Sequence, residues 1–193
     1  MRKTWLVIVL LMSVLAVSAS VPKPEYMPYC TTPQQVAPMQ MNGLYGSAMP
    51  LVWNGKDYAG VWIDVDEVGD NFLCFRRFFA DGTPASDIVH VISYGGTFSS
   101  PPSIVWNGSG YGIAYGLYNN TYRSTYFCRI DSNGSVLGSL LRISSHEVGV
   151  FEAFEPPVVA WSGSGYAVAW VDGSSGRSQV YATLMDADEN ITH

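Results

Sequence analysis

The chain has 193 residues, of which 48% are hydrophobic and only 13% charged, and its formal net charge is −6. An acidic balance of this kind excludes partners held through phosphate groups, because nucleic acid and anionic lipid need a basic surface; it permits cations, neutral glycans or proteins. With 12 Tyr, 6 Trp, 8 Phe and 19 Gly against so few charges, the composition suits an all-β domain better than a helical one.

Residues 1–19 read as a secretory signal peptide. Arg2 and Lys3 form its charged start, an apolar run extends from Trp5 to Val17, and Val17-Ser18-Ala19 supplies small residues for cleavage. That run is shorter than the ~20 residues a spanning helix needs, so export is expected in place of a retained anchor. Its removal takes two of the 10 Lys and Arg, leaving eight against 16 Asp and Glu. Residues 20–49 then form an arm, irregular around Pro22, Pro24, Pro28 and Pro33, with a short candidate strand over 36–41.

Residues 50–193 carry an internal repeat. Trp53, Asn54, Gly55, Tyr58 and Trp62 return as Trp106, Asn107, Gly108, Tyr111 and Tyr115, then as Trp161, Ser162, Gly163, Tyr166 and Trp170. The first Trp of each copy is displaced by 53 and then 55 residues. Each copy reads as short strands separated by turn residues. The first places them at 51–53, 58–64, 71–79 and 88–93; the second at 103–106, 111–118, 122–130 and 136–143. The third supplies 158–161, 166–171 and 178–185, without a fourth. Asn-Gly pairs and Asp131-Ser132-Asn133-Gly134 are hairpin signals, because Asn and Gly accept positive φ at low cost.

Antiparallel units of four strands at this period predict an all-β, β-propeller-like fold of three repeats, with blades at about 50–93, 103–143 and 157–193. Trp53, Trp106 and Trp161, with Tyr58, Tyr111 and Tyr166 and the aromatics Trp62, Tyr115 and Trp170, are expected to pack between neighbouring blades. The arrangement resembles secreted prokaryotic repeat proteins with Trp-Asn-Gly-x-x-Tyr-x-x-x-Trp blades, over about residues 50–186. That resemblance implies a propeller-type fold and no particular activity. The pattern departs from kelch repeats in lacking a Gly-Gly pair, from WD40 blades in period, and from sialidase-like propellers in lacking their Ser-x-Asp-x-Gly turn.

Three blades are too few to close one ring. Two readings follow: a homodimer closing head to tail into a six-bladed ring, each arm completing the partner's last blade, or the first part of a longer propeller chain.

The longer loops all fall at one end of the blades, where variable loops on a rigid scaffold usually carry function. The candidate ligand-binding residues there are Asp64, Asp66, Asp70, Tyr94, Phe98, Tyr118, His146, Glu147, Phe151, Glu152, Phe154 and Asp172. No cofactor is implied. Asp64, Asp66 and Asp70 have the oxygen chemistry of Ca²⁺ ligands but not EF-hand spacing, so a solvated acidic loop is favoured. Asp186-x-Asp188-x-Asn190 is likewise read as a turn. No catalytic motif surrounds His90, His146 or His193, and a carboxylate pair such as Glu147 and Glu152 would be needed for glycoside hydrolysis. Cys30, Cys74 and Cys128 allow one disulfide or buried free thiols. Asn107, Asn119, Asn133 and Asn190 begin Asn-x-Ser/Thr glycosylation sequences.

The expected function is a secreted binding or adhesion module engaging a glycan or protein through that loop face. A carboxylate-dependent glycoside hydrolase and a purely structural envelope protein are the alternatives.

Overall fold

The computed structural model describes residues 49–119, 121–144, 155–173 and 176–192, with 148–149 as backbone only. The expected signal peptide, the arm with its strand over 36–41, and Cys30 lie outside these residues. The described elements are strands in three antiparallel sheets. Sheet 1 has the order β1 (Leu51–Trp53), β2 (Tyr58–Val65), β3 (Asn71–Phe78), β4 (Val89–Tyr94). Sheet 2 follows with β5 (Thr97–Trp106), β6 (Gly110–Tyr118), β7 (Tyr122–Asp131) and β8 (Val136–Arg142), and the short β9 (Val148–Gly149) adds to β7. Sheet 3 has β10 (Val158–Trp161), β11 (Gly165–Asp172) and β12 (Gln179–Asp186).

β5 begins at Thr97 rather than at the expected residue 103. Register shifts between Phe98 and Ser100, and again between Ser100 and Ser103, carry the strand past Pro101 and Pro102. Proline has no N–H for the ladder, and a bulge is where a sheet tolerates it.

The turn after each first strand is built by one side chain. Asn54 Oδ1 accepts from the Lys56 and Asp57 amides at 2.9 and 2.7 Å, and Asn107 Oδ1 from Ser109 and Gly110 at 2.9 and 2.8 Å. Ser162 Oγ performs the same service for Gly165 at 3.1 Å. The following Gly55, Gly108 and Gly163 take φ of 98°, 101° and 97°, open to glycine without steric cost.

The same asparagines join the sheets. Asn54 Nδ2 donates to the Tyr111 hydroxyl of sheet 2 at 2.8 Å, and Asn107 Nδ2 to the Tyr166 hydroxyl of sheet 3 at 2.6 Å. Alternation along β6 sends Tyr111, Ile113 and Tyr115 into a cluster with Ala59, Val61 and Phe75 of sheet 1. It sends Ala114 the other way, into a cluster with Tyr166, Val168 and Trp170 of sheet 3. Tyr111, Tyr115 and Tyr166 are each at most 1% exposed; burying a ring of this size contributes roughly 1.5–3 kcal/mol. The Tyr166 ring lies against Gly112, where an added Cβ would meet it at 2.6 Å. Within each sheet the first-strand Trp tilts over its Tyr: Trp53–Tyr58, Trp106–Tyr111 and Trp161–Tyr166 have centroids 4.9, 4.7 and 4.7 Å apart. Trp62 is fully buried on the side of sheet 1 away from sheet 2.

Each of the first two sheets also carries an arginine one strand over. Arg77, opposite Ala59, pairs with Asp57 of its own sheet at 3.0 Å. Arg129, opposite Gly112, crosses to sheet 3, where it meets Glu189 at 2.8 Å and the Ala187 carbonyl at 2.6 Å. Glu189 holds φ of 70°, in a turn position filled by Gly82 (84°) and Gly134 (94°) in the other sheets. A left-handed non-glycine residue costs about 1–2 kcal/mol, and the ion pair to Arg129 is what offsets it.

Two outcomes follow for urea unfolding. Asn107→Ser keeps the turn, as Ser162 does, but loses the donor to Tyr166; with Tyr166→Phe in a double-mutant cycle it should show a coupling of about 1 kcal/mol. Glu189→Ala and Glu189→Gly both break the ion pair, but only the glycine relieves the backbone. The alanine variant should therefore be the less stable by about 1 kcal/mol.

Candidate functional site

The β2–β3, β4–β5, β6–β7 and β11–β12 connections all leave the same end of the sheets, opposite the Asn-Gly turns. At the seam of sheets 1 and 2 this end carries a run of aromatic rings. Tyr94 meets Phe98 edge-on at 6.3 Å, Phe98 meets Tyr115 at 6.1 Å, and Tyr115 stacks on Tyr126 at 5.8 Å and 17°. Tyr94 and Tyr126 are half-buried at this seam, whereas Tyr118, also half-buried, shares the side of β6 that carries Ala114, away from sheet 1. Asn71 Nδ2 donates to the Gly96 carbonyl at 2.9 Å and ties the β2–β3 connection to the β4–β5 connection. Gly96 is required there, because an added Cβ would lie 2.5 Å from the Tyr94 ring and 2.7 Å from the Tyr118 carbonyl.

Two expected ligand contacts take other places. Phe98 is 2% exposed and forms the floor under Tyr94, because alternation along the bulged β5 turns it inward. Asp172 is also 2% exposed, at the end of β11 on the side facing sheet 2. Both are therefore removed from solvent at the face where a ligand would lie. Tyr126 was missed by the sequence reading. The available signal was its register opposite Tyr115, repeated in Tyr181 opposite Trp170, which stack at 6.1 Å and 19°.

The acidic β2–β3 connection is a closed turn. Asp66 Oδ1 accepts from the Val68 and Asp70 amides at 3.0 and 2.8 Å, and Asp64 Oδ1 from the Val65 amide at 2.9 Å. Glu67 and Asp70 are exposed. Among the described residues no group of three or more His, Cys, Asp or Glu is placed to hold a metal ion. Asn119 Oδ1 caps the β6–β7 turn through Thr121 and Tyr122 at 3.1 and 2.8 Å. Asp186, likewise, accepts from the Asp188 and Asn190 amides, both at 2.9 Å, and its carboxyl is held below the ordinary range first by the Asn190 side chain. His146, Glu147, Phe151, Glu152, Phe154, Asn120 and His193 lie outside the described residues.

Cys74 and Cys128 are free, buried thiols, so they do not pair with each other. Burial pushes the Cys74 thiol from 9.0 up to about 12, with the Asp64 carboxylate adding to the rise. Cys128 is pushed up by burial and then by Glu189, and Tyr115 by burial and then by Cys128. Such thiols are packing groups rather than nucleophiles.

No family model and no curated protein matches the sequence. Among solved structures, the crystal structure of alpha-L-arabinofuranosidase from Lactobacillus brevis is similar to 78% of this chain with a TM-score of 0.45 and 9% identity. The similarity spans 58% of that enzyme's chain. A likeness of this order carries no activity across.

The raised thiols set a pH dependence. Above the ordinary thiol pKa of about 8.5 the unfolded chain loses protons that the folded chain retains. The free energy of unfolding should therefore be flat with respect to these groups below that value and fall as pH rises towards 12. Cys74→Ala should flatten part of the fall in urea titrations at pH 8, 9 and 10. Native protein at pH 8 should yield no reaction of Cys74 or Cys128 with a thiol reagent until denaturant is added.

Proposed function

We propose that this chain is an exported binding module whose three sheets are blades of a propeller-type fold. Its working face is the loop end, and its ligand is a neutral glycan. The observation that carries the reading is the tyrosine pair at the seam of sheets 1 and 2: Tyr94 and Tyr126 are half-buried against a packed floor of Phe98 and Tyr115. Rings fixed in this way lose little entropy when a flat apolar sugar face stacks on them, and their hydroxyls remain able to bond to sugar hydroxyls. The exposed Glu67 and Asp70 beside the rim accept hydrogen bonds and repel anionic ligands. The opposite end is occupied by turn and inter-sheet hydrogen bonds of Asn54, Asn107 and Ser162.

A glycan array probed with the exported protein should return neutral oligosaccharides in preference to sulfated or sialylated ones. Tyr126→Ala and Tyr94→Ala should each weaken binding tenfold or more by titration calorimetry, the order of one lost stacking contact. Lys56→Ala, at the far end, should leave it unchanged. Binding that survives both tyrosine substitutions would move the site elsewhere, and a silent array with capture of a protein partner would reassign the ligand class.

A further inference from the structure

We propose that the chain pairs with a second copy of itself through the outer faces of their two sheets 3, about a two-fold axis that runs along the strands. The side of sheet 3 away from sheet 2 has no cover among the described residues. Register puts two cross-strand rows on it, Ala160, Ala167 and Leu184, then Val158, Ala169 and Ala182, with Val171 and Val180 beyond. Val158 is 61%, Val180 77% and Leu184 45% exposed, and Ala160 and Ala182 are exposed with them. None of these side chains bears a charge, and an apolar sheet face of this kind is an interaction surface or an aggregation hazard.

The two internal seams show what a further tyrosine-bearing sheet would require of this face. In each, the strand-two tyrosine of the next sheet leans on a phenylalanine, Tyr111 on Phe75 at 5.2 Å and Tyr166 on Phe127 at 4.9 Å. Each tyrosine also accepts a hydrogen bond from Asn54 or Asn107. On sheet 3 the register counterpart of Phe75 and Phe127 is Ala182, and Ser162 stands in place of the asparagine, too short to reach across. Nor does a second copy offer such a tyrosine face. On the outer side of its sheet 1, Trp62 and Cys74 are fully buried and Met49 packs on Gly60.

What fits the face is the same face of another copy, because its large and small residues are arranged to complement themselves. Each row holds one large side chain, at opposite edges of the sheet: Leu184 on β12 and Val158 on β10. A two-fold axis along the strands lays β12 of one copy over β10 of the other. Leu184 then stands opposite Ala160, and Val158 opposite Ala182, large over small in both directions. Packed sheets lie about 10 Å apart with strands crossing at about 30°, an arrangement that this axis permits.

The charges permit this partner. Asp186, the carboxylate at the turn end of the face, accepts from the Asp188 and Asn190 amides of its own turn. In the pair the two Asp186 groups stand on strands that do not overlie one another, about 14 Å apart and beyond a Debye length of about 8 Å. Two faces of this size bury on the order of 1,000 Å², the lower limit for specific association, so the dimer is reversible. The contact is isologous and closes at two chains. Because the axis runs along the strands, both loop ends point the same way. The dimer thus presents its two tyrosine seams to one ligand-bearing surface, where the second engagement becomes intramolecular.

Sedimentation velocity of the exported chain from about 1 to 100 µM tests the proposal, since association rises with concentration. The wild type should pass from one chain per particle to two across the range and go no further. Leu184→Lys and Ala160→Glu should each remain single chains, because each would bury a charge against an apolar partner. Both sites are exposed in the single chain, so the melting temperatures of the dilute variants should match the wild type. Mixed in equal amounts, the two variants should regain the two-chain species. The introduced lysine of one copy then faces the introduced glutamate of the other, while the second Leu184–Ala160 contact stays native. A wild type that stays single at 100 µM, or that grows beyond two chains, would overturn the assignment. So would undiminished association of either variant alone, or a mixture that stays monomeric.

Discussion

The structure depends on one hydrogen-bonded pair, the turn asparagine of one sheet with the strand-two tyrosine of the next. Asn54 and Asn107 each use the carbonyl of the side chain to fold their own turn and the amide to fix the following sheet. A local and a tertiary requirement thereby fall on one residue. The tyrosine is equally constrained: its ring must be buried and its hydroxyl must find a donor at the edge of the seam, since an unpaired buried hydroxyl is costly. Burial raises the pKa of both Tyr111 and Tyr166, and the asparagine bond works against that rise. The spacing between stacked sheets is set by this reach and by the small residue that receives the ring, Ala59 in one seam and Gly112 in the other.

The three sheets solve the same packing problem with different charges. Arg77 is neutralised from within its sheet, Arg129 from the next sheet, and Leu184 needs no neutralising. The strained Glu189 belongs to this series, because a glycine in its place would leave Arg129 without its carboxylate. Polar devices thus fade from sheet 1 to sheet 3, whose side away from sheet 2 is aliphatic. Repeats that look equivalent in sequence are therefore graded in the surfaces they offer.

The two ends of the sheets divide labour. At the Asn-Gly end, side-chain oxygens are committed to backbone amides and to the next sheet. At the loop end, half-buried tyrosines sit over a floor that the core makes rigid, with an acidic turn alongside. Rigid aromatic groups at the edge of a packed seam are what a stacking ligand requires, and the floor residues Phe98 and Tyr115 serve both the core and the rim.

The repeat, the turns and most strand limits were legible in the sequence, because they rest on interactions within a few residues: Asn-Gly chemistry, alternation, and the Trp–Tyr pair across a tight hairpin. The early start of β5 was not, since prolines at 101 and 102 argue against a strand unless bulges elsewhere absorb them. Nor were the burial of Phe98 and Asp172, the role of Tyr126, the strain at Glu189 or the exposure of Leu184. β6 explains why: eight of its nine residues are buried, since sheets cover both of its sides and hydrophobic alternation no longer distinguishes them. Which side chain faces a neighbour, a ligand or solvent then depends on what lies across the seam. Sequence by itself determined the units and their turns, through short-range backbone chemistry. Only the tertiary structure decided which face of each unit a neighbouring sheet closes, because that choice rests on partners more than fifty residues away.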